Sequence, residues 1–214
     1  MPDHMTKIAE AVQKGDAKLV VQVVGEALGA EFSPTDILHK GLMPGVQALG
    51  QLFKKGQVYL PEVLVSTLAM KSGVDKLTPL FTSKDVQKKG IMVLGTVAGD
   101  MHDIGKNLVK MMLECSGYKV HDLGKDVPID TFTKAIHEIK PDIVGMSALL
   151  TTTMTHIPQA VKALEQAGLR RCVKMIIGGA PITRQFADEI GVEGYADDCA
   201  SAVDEVDRLM KLAV

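Results

Sequence analysis

From Ile91 onward the chain alternates short apolar runs with amphipathic helical stretches, and this alternation constrains the fold more than any other feature. The runs lie at Ile91 to Val97, Tyr118 to Leu123, Asp142 to Ser147 and Val173 to Ile177, with a short fifth near Glu193 to Tyr195. Helical periodicity follows from Ile104, Ile129, Ile157 and Thr183, and a last helix is expected from Ser201 to Leu212. Strands separated by helices pair in parallel, because each helical crossover returns the chain to the same edge of the sheet. The expectation over 91–214 is therefore an α/β domain, Rossmann-like (flavodoxin-like), with a five-stranded parallel sheet covered on both faces. Such sheets bind ligands beyond the carboxyl ends of their strands.

Residues 5 to 78 behave differently. Ile8, Val12, Leu19, Val20, Val23, Val24 and Leu28 recur at three- and four-residue spacing, and strand alternation is absent. Ser33-Pro34-Thr35-Asp36 offers an N-cap, a first-turn proline and an acid, opening a helix through Ile37, Leu42, Val46, Leu49 and Phe53. Gly56 breaks it, and Pro61 starts another through Val63, Leu64, Leu68, Met70 and Val74. This predicts a four-helix bundle over 1–78, joined by a polar, basic linker at 79–90 (PLFTSKDVQKKG).

A net charge of −2 provides no basic field for nucleic acid, and no apolar stretch is long enough for a membrane span. Met1-Pro2-Asp3-His4 lacks the basic-then-apolar pattern of a secretion signal, so a cytoplasmic location is expected. Cys115, Cys172 and Cys199 are far apart and form no CxxC pair, so reduced thiols are expected rather than a zinc or redox site.

Three polar or glycine-rich segments directly follow strand runs: Asp100-Met101-His102-Asp103-Ile104-Gly105, Ser147-Ala148-Leu149 and Gly178-Gly179. Three strand ends on one edge of a parallel sheet make one site. A phosphate loop is a poor fit, because Lys106 follows a single glycine and no GKS or GKT is present. An HD-type metal phosphohydrolase lacks the further histidines and acids that a full ligand set requires.

The pattern resembles the cobalamin-binding signature DxHxxG, SxL, GG, shared by methionine synthase, some mutases and the corrinoid proteins of methyltransferase systems. Asp100, His102, Gly105, Ser147, Leu149, Gly178 and Gly179 all match it. The resemblance implies base-off, His-on binding of cobalamin or a related corrinoid, with His102 as the lower axial ligand to cobalt. Asp100 would hold the other ring nitrogen and tune its basicity, and Thr153, a hydroxyl residue where methionine synthase has serine, would extend this relay. By the same resemblance Gly99, Met101 and Asp103 would belong to the cofactor-binding loop. Ser147 and Leu149 would contact the buried benzimidazole and Thr151 the tail's phosphate or ribose. Gly178 and Gly179 would leave room for that tail, and Cys199, where alanine is common, would meet the nucleotide loop.

The helical half separates methyl carriers from mutases. Leu52-Phe53, Gly56 and Tyr59-Leu60-Pro61-Glu62-Val63 resemble the cap of methionine synthase and the methyltransferase corrinoid proteins, in which a Phe and a Leu seven residues apart cover the cofactor's upper face. Phe53 and Leu60 have that spacing. The resemblance thus implies a corrinoid methyl carrier. It would accept a methyl group on cobalt(I) from a substrate-specific methyltransferase and donate it to an acceptor methyltransferase serving a thiol or pterin, with a reductive activation protein as a third partner. As the corrinoid subunit of a multi-component methyltransferase system it would not be expected to turn over alone. The alternative from another class is a cobalamin-dependent sensor or transcriptional regulator. Those carry an added DNA-binding domain, whereas helical signals here begin within the first ten residues without a basic surface.

Overall fold

Apolar stripes wind His4–Gln13 (α1) and Ala17–Gly29 (α2) into helices that bury Met5, Ile8 and Val12, and Val20, Val23 and Val24, respectively. The computed structural model describes residues 4–80 and 89–211, and the chain divides into two units, Met1–Gln87 and Lys88–Val214. Most of the expected linker, 81–88, lies outside the described residues.

The third helix of the first unit, α3, is one run of three segments: α-helical Pro34–Asp36, π-helical Ile37–Leu42 and α-helical Met43–Lys54. Ser33 caps it, accepting from the Asp36 backbone N–H at 3.0 Å. The π segment has a cause in the sequence. Pro44 cannot donate to the carbonyl one turn back and its ring crowds that carbonyl, and the wider turn, in which the Met43 N–H bonds the Leu38 carbonyl, makes space. Leu60–Leu77 (α4) begins one residue before Pro61, with the Glu62 carboxylate accepting from the Tyr59 N–H at 3.0 Å. Helix α1 packs on α2 and α3, and α2 packs on α4.

The second unit alternates as expected: β1 (Ile91–Val97), α5 (Ile104–Cys115), β2 (Lys119–Val127), α6 (Ile129–Ile139), β3 (Ile143–Ser147), α7 (His156–Gln166), β4 (Lys174–Gly178), α8 (Arg184–Glu189), β5 (Gly194–Ala196) and α9 (Cys199–Lys211). All pairings are parallel and the strand order is β2-β1-β3-β4-β5. Leu113, Ala202, Val206 and Leu209 of α5 and α9 close one face over Met92, Leu94, Ile143 and Ile176. Phe132, Ile136, Ile157, Val161 and Leu164 of α6 and α7 close the other over Val93, Val144, Met146, Met175 and Ile177.

Most boundaries fall within one residue of expectation, and two differ by more. Strand β2 continues past Leu123 to Val127, because its polar end still pairs with Gly95 and Val97 of β1 across a register irregularity. Helix α9 starts at Cys199 rather than Ser201, because Asp198 Oδ1 accepts from the Ala200 and Ser201 backbone N–H groups at 2.8 and 2.6 Å.

Candidate cofactor-binding site

In the order β2-β1-β3-β4-β5, successive crossovers diverge between β1 and β3, and the divergence opens a crevice at their carboxyl ends. Asp100 follows β1 into that crevice and is fully buried. Its Oδ1 accepts from the His102 backbone N–H at 3.0 Å and lies 2.8 Å from His102 Nδ1. Its Oδ2 accepts from the Leu149 N–H and from Thr153 Oγ1, both at 2.7 Å. One carboxylate thus joins the loops after β1 and β3.

Burial by itself pushes the Asp100 carboxyl up. The bonds from Leu149, Thr153 and His102 more than offset that, and the net shift is well below the ordinary carboxylate range. An ionised Asp100 fixes the proton of a neutral His102 on Nδ1 and leaves the lone pair on Nε2. The imidazole is 52% exposed while its acid partner is sealed. Thr96, at the end of β1, pins this loop by donating its hydroxyl to the His102 carbonyl at 3.0 Å. The apolar side chains of Met101, Ile104 and Leu149 are exposed at the rim of the cleft that His102 also lines. Such a patch on a site rim fits the face of a large, largely apolar ligand.

A cleft of about 520 Å³ runs inward from His102 between the sheet and the helices α5 and α9. Its size falls within the ordinary range of small-molecule sites. Met101, Asp103, Gly105, Ser147, Leu149, Gly178, Gly179 and Cys199 all line it, as the sequence reading grouped them. At Gly105 a Cβ would meet nothing within 4 Å, so the bare backbone there faces free space. The glycine pair has a further reason. A Cβ on Gly178 would stand 2.7 Å from the Ala196 carbonyl oxygen, and one on Gly179, at φ +132°, would stand 1.8 Å from that of Ala148. These residues are glycine because neighbouring backbone crowds them, in addition to the room they leave in the cleft. Burial pushes the Cys199 thiol up to about 11, with Asp198 adding to it, so a neutral thiol faces the cleft.

Other expected residues stand elsewhere. Gly99, at φ +76°, makes the turn into the loop rather than lining the cleft. Thr151 is exposed and also outside the lining. Phe53 is half-buried at the end of α3, and Leu60 is 38% exposed at the start of α4, both in the first unit.

Two anchors escaped the sequence reading. Asp126, at φ +54° near the end of β2, accepts from the Gly99 N–H at 2.7 Å and donates its own N–H to the Asp100 carbonyl at 3.0 Å. It clamps the loop from a second strand while holding a conformation that side chains resist. Asp126→Ala is expected to lose about 2 kcal/mol of stability, combining the left-handed backbone cost with a lost hydrogen bond. Asp126→Asn, which tolerates that conformation and keeps an acceptor, should lose less than about 1 kcal/mol. Equal urea midpoints for the two variants would rule out the clamp. The second anchor is Lys106, whose buried Nζ lies 2.6 Å from Asp122 Oδ1 and 2.7 Å from Asn107 Oδ1, tying the first turn of α5 to β2. A lysine in a first helical turn opposes the helix dipole, and this was the only sign of it in the sequence.

Comparison with known proteins bears on both units. A family profile described as B12 binding domain matches residues 90–204, and a second with the same description matches residues 5–78. The open parallel sheet of the second unit is thus that of a B12 binding domain. The chain is 41% identical over 204 residues to a trimethylamine corrinoid protein of Methanosarcina barkeri, covering 94% of each. It is 40% identical over 207 residues to dimethylamine corrinoid protein 1 of Methanosarcina acetivorans, covering 96% of this chain and 97% of that one. Among solved structures, it matches a chain of the methanol:cobalamin methyltransferase complex of Methanosarcina barkeri with a TM-score of 0.85 and 30% identity, covering 97% of this chain and 80% of that one. The protein belongs to the corrinoid proteins of methyltransferase systems.

Proposed function

We propose that this chain holds a corrinoid through His102 Nε2, with the cofactor's nucleotide tail in the cleft, and carries methyl groups between partner methyltransferases. The observation that supports this most is the relay from Thr153 through buried Asp100 to a half-exposed imidazole at the mouth of the cleft. A bound corrinoid would supply the cobalt centre at which methyl transfer takes place. The protein's part is to present a neutral imidazole from below, hold its proton on Nδ1 and keep the tail out of the way. Because Asp100 is ionised and anchored by Leu149 and Thr153, the ring cannot turn away without breaking a bond between buried or partly buried groups.

Relatives carry names that point to trimethylamine and dimethylamine, and a solved neighbour belongs to a methanol system. A common scaffold serving different donors supports a division of labour in which the partner enzyme chooses the donor. In this reading the substrate-specific methyltransferase, the acceptor methyltransferase and a reductive activation protein are its partners in the cytoplasm. Among the described residues no helix is long and apolar enough to cross a membrane.

Titrating the apo chain with cobalamin tests the binding mode. One equivalent should bind, and the paramagnetic cobalt(II) form should show coupling to one protein nitrogen, absent in His102→Ala. Lack of that coupling in the parent would exclude His102 as the ligand. Phe53 and Leu60 cover the upper face in this proposal. Phe53→Ala should leave cofactor uptake unchanged and speed aerial oxidation or photolysis of the loaded protein several-fold, since an apolar cover excludes water. Equal rates would return Phe53 to ordinary packing within its own unit.

A further inference from the structure

We infer that the inner end of the cleft selects the chemical class of the cofactor's lower base, favouring a corrinoid whose tail ends in a benzimidazole over one that ends in a purine. This deepens the corrinoid reading and rests on it. The cleft opens at the carboxyl edge of the sheet, where Ser147 and Gly178 are register partners. It reaches inward to the tip of Met92, which stands beside Gly145 and Leu94, register partners two positions below the rung formed by Thr96 of β1 and Ser147 of β3. At about 3.3 Å per residue this is a depth of about 7 Å.

Polarity falls along that depth. Ser147, Asp197 and Asp198 line the mouth, at or just beyond the last rung of the sheet. Lys106 also lines the cleft, but its Nζ is held by Asp122 and Asn107. Further in stand Met92, Leu94 and Ile176, each at most 4% exposed, with Val109 and Ala202 from the covering helices. The strand backbone at this level is engaged in the ladder with its neighbours. The floor therefore offers hydrocarbon and one thioether, and no strong donor or acceptor.

A benzimidazole presents the carbon edge of its six-membered ring to such a floor. A purine presents ring nitrogens there and, in adenine, an exocyclic amine. Left unpaired on burial, one such group weakens binding about tenfold or more.

The test is a titration of the apo full-length chain, followed by visible absorption, with cobalamin, with adeninylcobamide and with cobinamide, which has no nucleotide tail. Cobalamin should bind at least about tenfold more tightly than adeninylcobamide, and cobinamide should bind more weakly than cobalamin. Equal affinity for cobalamin and adeninylcobamide overturns the inference. Cobinamide binding as tightly as cobalamin also overturns it, because the tail then contributes nothing, while the corrinoid reading stands. Failure of all three to bind overturns both. Met92→Gln, which sets an amide in the floor at similar volume, should bring the cobalamin-to-adeninylcobamide ratio towards one, and an unchanged ratio removes the floor from base selection. Each ratio is taken within one protein, so a less stable variant still reports it.

Discussion

Alanine in place of Gly179 is expected to cost about 3–5 kcal/mol of stability and to abolish corrinoid uptake. Two costs add: a side chain held at φ +132°, and a Cβ placed 1.8 Å from the Ala148 carbonyl oxygen, which is backbone and cannot swing aside. Relief requires the end of β4 to move away from the Ser147-Ala148-Leu149 loop, and that loop supplies the Leu149 N–H to Asp100. Gly105→Ala provides the contrast. It lies in the first turn of α5 with no atom within 4 Å of its Cβ, so alanine there should stabilise the fold by about 0.5–1 kcal/mol. Phenylalanine at 105 should keep the fold and obstruct the cleft. Denaturation curves and cobalamin titrations of the three variants separate a glycine required by backbone from one that keeps a cavity clear; similar stability for alanine at 179 and at 105 would refute the distinction.

The second large effect is expected at Asp100, and its comparison with His102 is informative. Asp100→Ala strands the Leu149 N–H, unhooks the imidazole and leaves the buried Thr153 hydroxyl only the Leu150 backbone as partner, for a loss of about 3–5 kcal/mol. His102→Ala removes a half-exposed ring from an Asp100 that keeps its other partners, and should cost no more than about 1 kcal/mol. The functional order differs, because His102→Ala should change the visible spectrum of the loaded protein with its helical circular dichroism intact. An unchanged spectrum would dismiss the axial assignment. The pH dependence follows from the depressed folded-state pKa of Asp100. Its stabilising contribution is complete above the unfolded carboxyl value of about 3.9 and is lost as pH falls towards the lower folded value. The stability gap between the parent and Asp100→Asn should therefore be flat near neutrality and shrink below about pH 4. A gap that persists undiminished into acid would show that the charge of Asp100 is not what stabilises the loop.

The readable parts of this chain were those with local causes. Apolar runs of strand length, proline and serine at helix starts, and glycine breaks placed nearly every element within a few residues. The clustering of His102, Ser147 and Gly178 was also legible, since successive strands of a parallel sheet end on one edge. The polar end of β2 was hidden because Lys125 and Asp126 interrupt the apolar pattern, and pairing with β1 is a distant interaction that no local periodicity reports. The same holds for the π turn in α3, whose proline was visible but whose backbone response was not.

The sequence by itself determined the order of elements, the parallel sheet and the residues that meet at its carboxyl edge, because hydrophobic period and chain direction are properties of short segments. Only the tertiary structure decided that Asp100 is sealed while His102 is half open, that Asp126 clamps their loop from a neighbouring strand, and that Gly179 yields to a carbonyl. Each of these depends on atoms from separate segments lying within a few ångströms, and burial, hydrogen bonding and steric exclusion act at that range.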